Sequence, residues 1–148
     1  MFKPDEVKEL YKQQLREAKL KYTFLILNFC IMENHVHLML KPTESTDLSA
    51  LMQWINSMFT RRHNALYGTI GSLWRGRFRS EIIENDQYRR NVILYIWSNP
   101  HSIPEVEDVR EYVYSGFYCM KIESYELLAE PDEMFRECFE YMAGLNLP

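Results

Sequence analysis

The sequence predicts a single α+β domain in which helices cover an antiparallel sheet. Three observations carry that reading. An apolar repeat of helical period opens the chain, two adjoining stretches with strand character follow it, and further helical repeats fill much of the remainder. With 148 residues, 47% of them hydrophobic, the chain can bury a proper core, so 1–148 reads as one domain.

In residues 3–20, Val7, Leu10, Tyr11, Leu15 and Ala18 recur at helical spacing between Lys and Glu residues, after Pro4 in the first turn. Residues 22–32 are dense in Phe, Leu and Ile and suit a buried strand. Glu33-Asn34 is a natural turn into a second strand, which makes the pair a hairpin. Read with period two, His35, His37, Met39 and Lys41 share one face of that second strand, and Val36, Leu38 and Leu40 share the apolar one. After a loop at 42–47, Thr46 or Asp47 can cap a helix running to about Tyr67, with Leu48, Leu51, Met52, Ile55, Phe59 and Leu66 as its buried stripe. A loop at 68–76 leads into residues 77–83, which resemble another strand. Asn85 or Asp86 then caps a helix that ends before Pro100 and buries Val92, Ile93, Ile96 and Trp97. Residues 131–143 read as a last amphipathic helix.

The formal net charge of −4 argues against a wholly basic nucleic-acid binder, but it averages two unlike parts. From about residue 101 an acidic C-terminal extension carries eleven Asp/Glu against Arg110, Lys121 and Arg136, a net of −8, which leaves +4 on the first hundred residues. The three cysteines are far apart and fit no metal-ligand spacing, as expected of free thiols in a reducing cytoplasm. The apolar run at 22–32 is too short to span a membrane and follows a charged helix, so a soluble, cytoplasmic protein is expected.

Chemistry concentrates in three places. His35 and His37, at i and i+2, lie about 6.5–7 Å apart along a strand, so both rings can turn toward one ion; a half-buried strand with two histidines on its polar face fits the spacing equally. In residues 73–79, Arg75, Arg77 and Arg79 alternate with Trp74, Phe78 and a glycine, offering guanidinium forks to phosphates and flat faces to unpaired bases. The alternative is a solvated basic turn with both aromatics in the core. Arg61 and Arg62 suit either phosphate contact or the C-terminal end of their helix. Tyr95 and Asn99, four apart, share one helical face. A core tyrosine is the ordinary reading of Tyr95 alone, whereas an amide one turn on adds a possible metal ligand.

The string Met32-Glu33-Asn34-His35-Val36-His37-Leu38 is similar to the Met-Pro-Asn-His-Val-His-Leu signature of the HUH single-strand DNA transposases, the IS200-like transposase domain. The likeness continues through residues 71–78 and 95–100 in the family's order, and these blocks look most like the REP-associated tyrosine transposase branch. The resemblance covers roughly residues 5–144. It implies the ferredoxin-like HUH fold, an antiparallel sheet with helices on one face. It also implies His35, His37 and Asn99 as ligands of Mg²⁺ or Mn²⁺, and Tyr95 as the nucleophile that cleaves single-stranded DNA near a hairpin through a 5′-phosphotyrosine link. Arg61, Arg62, Trp74, Arg75, Arg77 and Arg79 are the expected DNA contacts. Tyr88 is the alternative nucleophile, outside the matching block.

Two departures accompany the likeness. Glu33 stands where the family has proline, which puts a carboxylate near the site. Family members also begin with a strand before the first helix, whereas only Met1 to Lys3 precede it here; an exposed sheet edge or an uncovered core is expected, or a partner that supplies the edge. The competing expectation for function is a non-catalytic single-strand nucleic-acid-binding remnant of such an enzyme, and for assembly either a monomer or a homodimer.

Overall fold

The computed structural model describes residues 1–147. Helix α1 (Asp5–Lys21) leads into strands β1 (Phe24–Ile31) and β2 (Val36–Pro42), then α2 (Leu48–Tyr67), α3 (Asp86–Ser98), the short α4 (Gly116–Lys121) and α5 (Glu133–Ala143). The fold is thus α+β, a two-stranded antiparallel sheet with helices packed around it.

Local chemistry explains where the helices start and stop. Asp47 accepts hydrogen bonds from the amides of Ser49 and Ala50 at 2.8 and 3.2 Å, which opens α2. Gly68, at φ +63°, closes it in the left-handed conformation that favours glycine. Asn85 caps α3 through the Tyr88 amide at 2.8 Å, and Asp132 caps α5 through the Phe135 amide at 3.1 Å.

Within the hairpin, Cys30 pairs with His37, Asn28 with Met39, Ile26 with Leu40 and Leu25 with Lys41. Leu27 is the extra residue of a bulge between Ile26 and Asn28, and Asn28, two residues before Cys30 and opposite Met39, lies on the face that carries His37. There the fully buried Asn28 donates from Nδ2 to the carbonyl oxygen of Ile93 at 3.4 Å. The contact fixes α3 across the histidine face. A Cβ on Gly116 would lie 2.4 Å from Asn28 Oδ1, so the start of α4 closes on the same residue only because it is glycine.

The two faces of β2 depart from the simple alternation. Met39, on the histidine face, is buried at 5% exposure because α3 lies over it, whereas Val36, Leu38 and Leu40 are only half-buried.

The strand expected at residues 77–83 does not form: these residues are irregular and mostly exposed, with Ile82 83% exposed. A strand needs a neighbouring edge to satisfy its backbone, and no backbone hydrogen bond joins 77–83 to β2 among the described residues. The outer edge of β1 is partly covered instead. Ile31 donates to the Tyr114 carbonyl at 2.9 Å and Ala129 donates to Ile26 at 2.8 Å. Phe2 is fully buried, stacked on Phe59 at 5.0 Å between ring centroids, and its amide donates to the Glu33 carbonyl at 2.7 Å. One hydrophobic cluster runs from Phe2 through α1, the sheet, α2 and α3 to Phe135, Cys138 and Met142, so the acidic C-terminal segment is woven into the same core. No helix among the described residues is long and apolar enough to cross a membrane.

Candidate functional site

Strand β2 and helix α3 bring four chemistry-bearing residues together. The His35 and His37 rings lie 4.8 Å apart between centroids and nearly perpendicular, and the Tyr95 ring stands 5.5 Å from His37. Tyr95 is 61% exposed, so its ring borders the site from the solvent side instead of filling the core. Asn99 follows one turn further on, at the C-terminal end of α3. Asn99 Nδ2 donates to the Tyr95 carbonyl at 3.0 Å, which leaves its amide oxygen as the end free to act as a ligand.

His37 is half-buried, and its pKa is lowered first by that burial and then by the neighbouring His35, with the Asn99 contact opposing both. The ring is therefore held neutral at pH 7, the form that offers a lone pair to a cation. His37 Nε2 is buried and has no partner within the chain. His35 is exposed, and its Nδ1 lies 2.5 Å from the Asn34 amide oxygen. Donation from Nδ1 to that oxygen leaves Nε2 of His35 with its lone pair free.

These residues fit a divalent cation held by two imidazole nitrogens and an amide oxygen, with coordination positions left for substrate and water. No group of three or more His, Cys, Asp or Glu side chains is assembled among the described residues. Cys30, opposite His37 in the ladder, is kept as a neutral thiol because burial pushes its pKa up to about 12.

Tyr88 stands in a different condition. Its hydroxyl donates to the Glu81 carboxylate, which raises its pKa by holding the proton on the phenol. The Tyr95 hydroxyl has no hydrogen-bond partner in the chain among the described residues.

The expected DNA-contacting residues divide into three groups. Arg75, Arg77 and Arg79 are exposed and, like Arg61, form no ion pair among the described residues. Arg62 instead donates both Nη atoms to Glu17, at 2.8 and 2.6 Å, and ties α2 to α1. Trp74 packs against Phe2, Tyr11 and Phe59 with centroids about 6 Å apart, and its indole N–H donates to the Asn56 carbonyl at 3.2 Å. Its first role is therefore in the core.

Sequence reasoning passed over two residues that shape the site. Asn34 was absorbed into the turn, although its place directly before His35 is a signal for a side chain that orients the ring. Asn28 is a lone amide in an apolar run, and only the position of α3 gives it a purpose.

An antiparallel hairpin bearing two histidines, crossed by a helix bearing a tyrosine and an amide, is the arrangement of a tyrosine transposase fold. The sequence profile described as "Transposase IS200 like" matches residues 1–99, and the chain belongs to that family. A Haemophilus influenzae protein described as a REP-associated tyrosine transposase is 28% identical over 125 residues, which cover 77% of this chain and 68% of that one. A solved REP-associated tyrosine transposase bound to a REP hairpin superposes with a TM-score of 0.68 at 22% identity, over 83% of this chain and 73% of the other. At that identity the superposition speaks for the fold.

Proposed function

We propose that this protein cleaves and rejoins single-stranded DNA beside a hairpin, with Tyr95 as the nucleophile and His35, His37 and Asn99 holding a divalent metal ion, Mg²⁺ or Mn²⁺. The observation that carries the reading is the meeting of Tyr95 with His37, 5.5 Å apart between rings, beside a buried imidazole nitrogen that has no partner in the chain. When bound, the ion would supply Lewis-acid polarisation of the scissile phosphate.

The chain's own residues would do the rest. Tyr95 presents its phenolic oxygen to the phosphorus from the open side of the site, and the phenol gives up its proton as the new bond forms. The bond from phosphorus to the 3′-oxygen breaks, that oxygen takes up a proton, and a free 3′-hydroxyl leaves while the 5′-phosphate stays on Tyr95. Attack by a 3′-hydroxyl on this phosphotyrosine reverses the step and joins strands without loss of the phosphodiester bond. Asn34 and Asn28 hold the geometry, the first by orienting His35 and the second by fixing α3 against the sheet. Exposed Arg61, Arg75, Arg77 and Arg79 supply positive charge to the backbone of the bound strand. The hairpin bound by the structural relative supports a hairpin-bearing strand as the substrate here.

The test is incubation with Mn²⁺ or Mg²⁺ and an end-labelled single-stranded hairpin, followed by a denaturing gel. A covalent protein–DNA band that depends on both metal and Tyr95 is expected. Binding without any such band would leave the non-catalytic binding module as the function.

A further inference from the structure

Residues 48–80 contain five arginines and neither aspartate nor glutamate, in a chain whose net charge is −4. Within this acid-free stretch stands the most exposed large hydrophobic side chain among the described residues. Ile70, in the turn that follows α2, is 97% exposed. Leu66, one turn of helix earlier and expected in the buried stripe of α2, is 55% exposed as well.

A single aliphatic side chain on a surface is ordinary and needs no purpose. Ile70 differs in how it is held. Gly68 and Gly71 flank its turn with φ of +63° and +96°. The Thr69 amide donates to the Asn64 carbonyl at 3.0 Å, and the Thr69 hydroxyl donates to Asn64 Oδ1 at 2.8 Å. Asn64 Nδ2 donates in turn to the Gly71 carbonyl at 2.9 Å. One side chain thus ties both shoulders of the turn to the end of α2, and Trp74, anchored in the core, fixes the exit. A turn with two glycines and no such ties would be free to fold its isoleucine back onto the surface. This turn holds it out in water, on a side chain that is itself stiff at χ1.

Two further observations say what Ile70 meets. Arg61, Arg75, Arg77 and Arg79 are exposed, so the surface around the turn attracts a polyanion. The turn also lies toward the end of the molecule that carries the histidines. Tyr67, just before it, donates to Glu6 of α1, and Phe2, just ahead of α1, bonds to Glu33 in the turn before His35. A branched aliphatic group offers no flat face for an unpaired base to stack on. It has the shape that enters between two base pairs.

We propose that Ile70 is an apolar wedge that enters one base-pair step in the stem of a bound DNA hairpin, unstacks it and sets the angle at which the stem leaves the protein. The idea rests on the hairpin-binding part of the reading above and requires no strand cleavage. The arginines hold phosphates beside the step, and Asn64 keeps the turn from yielding when the bases resist.

The experiment uses hairpins carrying 2-aminopurine, which brightens on unstacking, at successive stem positions, beside an unpaired strand of the same composition, all without divalent metal. With the unaltered protein, the probe at one stem step should brighten on binding. Ile70→Ser removes an exposed side chain and leaves the core intact. It should abolish the brightening, weaken hairpin binding about tenfold, change binding of the unpaired strand less than about twofold and leave the salt slope unaltered. Ile70→Leu, which keeps the apolar bulk, should retain both the brightening and the affinity. Brightening at no stem position, full hairpin affinity in Ile70→Ser, a loss shared by the unpaired strand, or an Ile70→Leu protein that behaves as Ile70→Ser would overturn the wedge. A metal-dependent covalent band in the unaltered protein would then leave strand transfer standing. Brightening that depends on Ile70, without any covalent band, would do the reverse. No hairpin binding at all would overturn both.

Discussion

The histidine face and the arginine segment at 75–79 carry most of the chemistry-bearing residues of this chain, and they are held very differently. On the first, a buried amide, on which a glycine without room for a Cβ closes, ties α3 to the sheet, so His37 and Tyr95 meet before any ligand arrives. On the second, Trp74 and Phe78 pack toward the core while three arginines project into solvent with no ion-pair partner among the described residues. Preorganisation is concentrated at the site proposed for strand cleavage, because a small displacement there would cost far more than it does in a screened phosphate contact.

Tyr95→Phe should break the first region's chemistry most completely. It removes one exposed oxygen with no partner in the chain, so folding and DNA affinity should stay within about twofold. Covalent adduct formation should fall by more than about a thousandfold. A denaturing gel beside a binding titration reads both quantities. A surviving adduct would shift attention to Tyr88, whose phenol Glu81 keeps protonated.

Asn34→Ala should act through His35 without touching DNA. Loss of the partner 2.5 Å from His35 Nδ1 frees the ring to rotate and to exchange tautomers, and should weaken apparent metal affinity about tenfold to a hundredfold. The metal concentration needed for half-maximal adduct should rise, while the rate at saturating metal changes little. A lower saturating rate with unchanged metal dependence would mean that Asn34 holds the loop and not the ligand.

Replacing Arg75, Arg77 and Arg79 together by alanine should sharpen the contrast from the other side. If each meets one phosphate, the slope of log affinity against log salt should flatten by about 2 units, at roughly 0.7 per contact on a single strand. Metal dependence should be unaltered. An unchanged slope would return these arginines to a solvated turn.

The same contrast explains what was legible beforehand. Helices α1, α2, α3 and α5 and the hairpin were readable because each is set by periodicity and capping within its own residues, as with Asp47 and Asn85. Residues 77–83 have strand composition, yet a strand is a relation to a second edge, and composition does not supply the edge. Helix α4, six residues long, is too short to declare a period. Met39 was expected on an open polar face and lies buried, because its cover comes from α3, more than forty residues later in the chain. His35, His37, Tyr95 and Asn99 were singled out from spacing and resemblance, and of these the structure sets the rings of His35, His37 and Tyr95 side by side. Asn28 and Asn34 were not, since each acts through a neighbour.

Arg62 tests where the boundary between scaffold and DNA surface falls, and its effect should be the smallest. It was expected among the DNA contacts, but its guanidinium fork is taken up by Glu17 and joins α2 to α1. Arg62 holds the Glu17 carboxyl below the usual carboxylate range, so the folded state prefers the ionised form. A carboxyl with a lowered folded pKa contributes stability that is present above its unfolded value, near 4.5, and is lost as pH falls through the folded value below it. Both side chains are about one-third exposed, so solvent screening limits the pair to about 1 kcal/mol or less. Arg62→Ala should therefore lower the melting temperature slightly at pH 7 and by progressively less as pH falls from 4.5 through the lower folded value of Glu17, where the unaltered protein loses the pair too. Its salt slope for DNA binding should match that of the unaltered protein. A slope reduced as far as each of the three exposed arginines reduces it would mean that Glu17 releases the fork to phosphate, and that the ion pair is a resting state of the DNA surface.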